Sequence, residues 1–200
     1  MDERSTQFPK PTTWYDRLVV WAVTWEDCEG VPLAIGSFRD EGGLRARVAG
    51  ALHLLAVYAP ADLARVRKLM RGIVVTRLYG ANAQWRQSIR VCVLSTEYLQ
   101  SAEAAAEGVA ATIVHELTHA RLDAIGFDYR KERQARIERI CFRASNRFLQ
   151  KLPESDHRKA ALEEIEEFLA FDTGVWRALL GRDDRPWYFR ALAYVLRRVT

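Results

Sequence analysis

The sequence predicts an α+β fold, mainly helical, with a small β-sheet. Three observations predict it. Apolar residues recur at helical spacing through most of the 200-residue chain. Two short runs rich in β-branched and apolar residues, Ile73–Thr76 and Ile89–Leu94, interrupt that period and read as strands. A long alanine-rich helical stretch then follows the second run.

In chain order, residues 1–13 contain Pro9 and Pro11 and read as a flexible N-terminal arm. Residues 14–200 read as a single domain. Leu18–Trp25 is apolar enough for a buried strand or the end of a helix, and Val31–Phe38 is a second strand candidate. Asp40-Glu41-Gly42-Gly43 is a turn. Leu44, Val48, Ala51, Leu52, Leu55 and Tyr58 mark a helix that Pro60 stops, and Asp62–Met70 a second one. Gly80–Gln87 is polar and reads as a loop. Ser101 is the expected N-cap of the alanine-rich helix, with Glu103 in its first turn and Gly126 as its C-terminal stop. Tyr129–Leu152 is another helix, ended by Pro153. Asp156–Phe171 follows, with Leu162, Ile165, Phe168 and Leu169 inward. A last helix opens at Pro186, capped by Asp183 or Asp184; its Leu192, Val195, Leu196 and Val199 face reads as covering the core, the alternative being a membrane or partner contact with Arg190, Arg197 and Arg198 opposite.

Composition narrows the function classes. The chain is 49% hydrophobic and 28% charged, as soluble globular domains are, and is long enough to bury a core without disulfides. Basic residues number 30 and acidic ones 26, and the arginines are scattered instead of striped, which argues against nucleic acid as a partner. Cys28, Cys92 and Cys141 lie far apart, so reduced thiols in a cytoplasmic protein are expected. No secretory signal and no membrane span are expected from the polar N-terminus and the short apolar runs.

The chemistry sits in His115-Glu116-Leu117-Thr118-His119, an HExxH pattern within the alanine-rich helix. Four residues make about one helical turn, so both imidazoles leave one face and can hold one metal ion. With 4 His in the chain, about 0.006 such matches are expected by chance. Neutral imidazole suits zinc. Glu116 can take a proton from a zinc-bound water as that water attacks a carbonyl.

A hydrolytic zinc site needs a third protein ligand. His157 is distant and sits at an exposed helix start. Asp123, Asp128, Glu132 and Glu138 are the carboxylate candidates. The apolar stripe of Tyr129–Leu152 centres near Cys141 and Phe148. Glu138 lies roughly 70° from that centre and Glu132 roughly 170°, which favours Glu138 over Glu132 as the ligand; the alternative for Glu138 is pairing with Arg136, Arg139 or Arg143. Asp123 either accepts a hydrogen bond from a ligand imidazole or pairs with Arg121 or Arg130. Tyr129 and Arg136 are candidates for stabilising an oxyanion. His53, inside Ala51-Leu52-His53-Leu54-Leu55, reads as a satisfied core histidine.

The segment HELTHARLD resembles the zinc-binding helix of thermolysin-type metallopeptidases, and more broadly the gluzincin group of zincins. The resemblance implies a zincin-like domain with Zn2+ as cofactor and a peptide or protein as substrate. It implies His115, His119 and Glu138 as metal ligands, Glu116 as catalytic base and Asp123 as a supporting residue. It also implies a sheet edge that binds an extended substrate, for which Ile89–Leu94, with Arg90 and neighbouring Gln87 and Ser88, is the candidate unless that strand is interior. Glu138 follows His119 by 19 residues and is preceded by Arg136-Ile137, while Phe142 stands where that group carries an Asp. The longer segment from Val114 to Cys141 is also similar to uncharacterised bacterial HExxH proteins. The expected function is a zinc metallopeptidase. The alternative is a non-catalytic zinc-binding regulatory or interaction domain that keeps the site.

Overall fold

A computed structural model of the chain describes residues 23–36, 43–78, 81–101, 104–127, 133–171 and 175. The expected N-terminal arm, the run 18–22, the turn at 40–42, Glu103, Asp128, Tyr129, Arg130, Glu132 and the helix from Pro186 lie outside those residues.

The described chain is a mixed α+β structure. Its strands are β1 Glu26–Cys28, β2 Val31–Ile35, β3 Gly72–Thr76, β4 Ala83–Arg86 and β5 Val91–Ser95. Its helices are α1 Leu44–Tyr58, α2 Pro60–Leu69, α3 Thr96–Gln100, α4 Ala106–Ala124, α5 Gln134–Leu149 and α6 Asp156–Ala170. One sheet has the order β1-β2-β3-β5-β4. Strands β2, β3 and β5 run parallel, and antiparallel β1 and β4 form the edges. Parallel neighbours need a long crossover, and α1 with α2 supplies it between β2 and β3.

The sheet is buried on both faces. Leu33, Ile73, Val75, Cys92 and Leu94 face the helices, while Ala34, Val74, Val91 and Val93 pack with Val23, Trp25, Leu78 and Ile89 on the other side. Each fully buried aliphatic side chain contributes on the order of 1.5–3 kcal/mol. Helix α4 is the hub, with Val109, Ala110, Ile113, Val114, Leu117 and Ala120 all buried. Its small residues let neighbours come close: the Cβ of Ala106 lies 3.4 Å from where a Cβ would stand at Gly50 of α1. Helix α4 ends as the sequence suggests. Gly126 has φ +68°, its N–H donates to the Asp123 carbonyl, and the Phe127 N–H donates to the Leu122 carbonyl. Phe127 also packs on Leu122, which completes a Schellman stop.

Several expectations need correcting. The polar stretch 80–87 contains strand β4: Ala83 and Trp85 pack toward the core while Gln84 is exposed, a period of two hidden by its polar composition. The following strand begins at Val91, because Ile89 and Arg90 form a turn in which Arg90 takes φ +56°. The Arg90 guanidinium donates to the Lys68 and Leu69 carbonyls and so caps the C-terminus of α2. Pro60 opens α2 at a position where its missing N–H costs nothing. Ser101 is not the N-cap of the HExxH helix. Ser95 caps the short α3, Ser101 ends it, and α4 starts at Ala106. His53 is exposed and pairs with Glu29 at 3.3 Å, because it points away from the buried stripe of Leu52 and Leu55.

Candidate metal centre

Helices α4 and α5 build the site face to face. His115, Glu116 and His119 project from α4, and Glu138 and Cys141 from α5. Residues one turn apart share a helix face, so α4 offers two imidazoles and α5 offers a carboxylate and a thiol toward the same point. The His115 and His119 Nε2 atoms lie 3.2 Å apart. Glu138 Oε2 is 3.1 Å from His115 Nε2, and Glu138 Oε1 is 3.6 Å from His119 Nε2. The ligand atoms of His115, His119 and Cys141 all lie within 4.8 Å of one another. Two donor sets therefore share the histidine pair, one completed by Glu138 and one by Cys141.

Donors around a tetrahedral zinc, with Zn–N near 2.0–2.1 Å, stand roughly 3.3 Å apart. The observed spacings of 3.1, 3.2 and 3.6 Å match that separation. Buried nitrogen lone pairs and a carboxylate converging on one point are the donor chemistry a divalent, borderline-soft cation takes. The residues present thus fit zinc.

Electrostatics within this protein cluster are strongly coupled. Burial alone would raise the Glu138 carboxyl pKa. The His119 charge and hydrogen bonds from both imidazoles outweigh it and hold the carboxyl well below the usual range. Burial opposes charging of His119, but the Cys141 thiol and the Glu138 carboxylate push its pKa well up. Burial pushes the Cys141 thiol up to about 11 against the pull of His119. Burial also raises the Glu116 carboxyl pKa, with the histidine charges and the backbone N–H of Trp85 opposing.

The surroundings fix these groups. Phe142, at the position where the resemblance calls for an Asp, packs edge-on to the His115 ring at 4.7 Å between centroids. Phe168 of α6 stacks on Phe142 at 4.8 Å. The His115 ring is thus oriented by packing. Ser145 donates 2.8 Å to the Ala111 carbonyl and ties α5 to α4. One turn beyond His119, the Trp85 indole N–H donates to Asp123, so Asp123 anchors the edge strand instead of pairing with Arg121. His119 acts on Asp123 through its charge. Trp85 thereby holds α4 twice, by its backbone at Glu116 and by its ring at Asp123.

Of the residues singled out from the sequence, the structure brings together His115, Glu116, His119 and Glu138, with Asp123 one turn beyond. Glu138 meets the histidines, not an arginine: Arg139 donates to the Phe171 carbonyl, and Arg136 and Arg143 are exposed. Arg136 is therefore not at the cluster. His157 is exposed at the start of α6. Sequence reasoning missed Cys141 and Trp85 as members of the site. The i, i+3 spacing of Glu138 and Cys141 was the available signal for the first. No helix among the described residues is long and apolar enough to cross a membrane. No family model, no curated protein and no solved structure matches this chain.

Proposed function

We propose that the chain is a zinc-dependent hydrolase that cleaves peptide bonds in a zincin-like domain. The observation that carries this reading is the convergence of His115, His119 and Glu138 on one point with the buried Glu116 carboxyl beside them. Zinc held by those three residues supplies Lewis acidity, making a water more acidic and polarising a carbonyl. The remaining work belongs to the chain. Glu116 accepts a proton from the attacking water at a carboxylate oxygen and passes it to the leaving amide nitrogen as the C–N bond breaks. The Trp85 N–H holds that carboxylate in place.

The strand at 91–95, the sequence's candidate for a substrate edge, is interior because β3 and β4 flank it, so the edge that supports the substrate class is β4. Ser95 N–H donates to the Asn82 carbonyl at 2.9 Å, and β4 pairs with β5 in the same register. Antiparallel alternation then turns Gln84 and Arg86 toward β5 and leaves the backbone groups of Ala83 and the carbonyl of Trp85 toward the open edge, the Trp85 N–H being directed at Glu116. An extended peptide can pair with such an edge, beside Glu116.

A second reading is favoured by Cys141. A fourth protein donor is what closed, structural zinc sites have, and a closed site suits a non-catalytic zinc domain. The test of the hydrolase reading is cleavage of an unstructured peptide mixture, followed by mass spectrometry. Cleavage should vanish with a chelator and return with added zinc. A protein that carries about one zinc per chain and cleaves no peptide supports the second reading.

A further inference from the structure

We propose that Cys141 is a ligand of the same metal ion that His115 and His119 hold. The inference rests on the zinc reading above but not on catalysis. Its first ground is position: the Cys141 sulfur and the two histidine donor atoms lie mutually within 4.8 Å. Zinc–sulfur bonds are near 2.3 Å and zinc–nitrogen bonds near 2.0–2.1 Å, so bound donors stand roughly 3.3–3.7 Å apart. Rotamer adjustments on the order of an ångström suffice to close the set. The second ground is electrostatic: across that gap the His119 imidazole and the Cys141 thiol each act on the other's ionisation. The third is architecture, since Cys141 lies three residues after Glu138 on the same face of α5, and that carboxylate already touches both imidazoles.

A buried cysteine is more often a small apolar side chain, and Cys92 is the internal comparison. It is fully buried in the core between β-sheet and helices, and its sulfur is not among the donor atoms gathered at the two imidazoles. Cys141 packs its stem with Leu122 and Ile137 but turns its sulfur to the imidazoles. Thiolate is a soft donor that selects zinc or cobalt over magnesium or calcium. It also brings the protein donors to four with Glu138, so the thiol and an incoming water or carbonyl compete for one position.

The test uses cobalt as a spectroscopic stand-in for zinc, in the full chain. Cobalt(II) bound by a thiolate gives an intense near-ultraviolet sulfur-to-metal charge-transfer band. Wild type and Cys28→Ser should show the band at about one cobalt per chain. Cys141→Ser should lose the band and weaken metal binding at least about tenfold, as losing even an outer partner of a ligand does. X-ray absorption on the zinc form of wild type needs no variant and should find one sulfur near 2.3 Å. One metal per chain with no band and only nitrogen and oxygen neighbours overturns the role of Cys141 and leaves His115, His119 and Glu138 standing. A band that persists in Cys141→Ser overturns it too. Failure to bind any metal overturns both the inference and the zinc reading beneath it.

Discussion

Glu116→Gln separates the chemistry of the site from its assembly. The carboxyl is buried, and its protein anchor is the Trp85 backbone N–H. A glutamine of nearly the same shape keeps a carbonyl oxygen for that N–H, so the cost to folding should stay within about 1 kcal/mol. Metal binding should be unchanged, because His115, His119 and Glu138 surround the binding point and Glu116 does not. The amide cannot take a proton from water. Loss of a general base typically removes 10²–10⁴-fold in rate, which at about 1.36 kcal/mol per decade is about 2.7–5.4 kcal/mol of barrier. The assay is cleavage of a degenerate peptide mixture, with zinc content and circular dichroism measured on the same samples. The expected result is equal zinc, equal fold and at least a hundredfold slower cleavage. A variant that holds zinc and cleaves as fast as wild type refutes the role of Glu116 and moves the activity to another site.

Glu138→Ala should weaken zinc binding at least about tenfold in a competitive chelator titration, while Glu132→Ala should bind like wild type; the reverse pattern would mean that the wrong carboxylate of this segment has been assigned. Trp85→Phe keeps the ring and the backbone N–H but removes the indole N–H from Asp123. Unpairing a half-exposed carboxylate should cost about 1 kcal/mol, a drop of about 2–4 °C in melting temperature for a chain of this size, with zinc content unchanged. Gly72→Ala should destabilise by about 1–3 kcal/mol in denaturant unfolding. An added Cβ would lie 2.5 Å from the Pro32 carbonyl oxygen and run into the Trp25 ring, and the carbonyl belongs to a paired strand that has little room to retreat. Wild-type stability in that variant would mean that β1 and β2 sit farther from β3.

How much was readable in the sequence depended on how strongly each segment repeats its own pattern. Helix α1 was readable in full, because Leu44, Val48, Ala51, Leu52 and Leu55 repeat one buried stripe. The end of α4 was readable because only a residue free to adopt a left-handed conformation finishes a Schellman turn cheaply, and Gly126 stands there. The start of α4 was not. Ser95 and Ser101 are equally good caps on paper, and tertiary packing decided that the first opens α3 while Ala105 precedes α4 without a side-chain cap. Strand β4 was hidden for a different reason. Edge strands are short and half polar, so Ala83-Gln84-Trp85-Arg86 looks like loop until β5 pairs with it.

The site divides along the same line. A motif within one helix turn carries its geometry with it, so the pairing of His115 with His119 followed from spacing alone. Glu138 needed one further step, the phase of α5 relative to its apolar stripe, and its burial follows from that phase. Cys141 and Trp85 needed knowledge that no local pattern holds. A cysteine at the centre of an apolar stripe reads as core, and its sulfur is distinguished from a methyl group only by the two imidazoles that α4 turns toward it. Trp85 belongs to the site because β4, the edge strand, runs beside the middle of α4 and presents a backbone N–H at Glu116 and an indole N–H at Asp123, seven residues on. Seven residues are about two helical turns, so one strand residue grips a single face of the HExxH helix above and below His119. The edge strand and the metal ligands are therefore positioned by the same helix face.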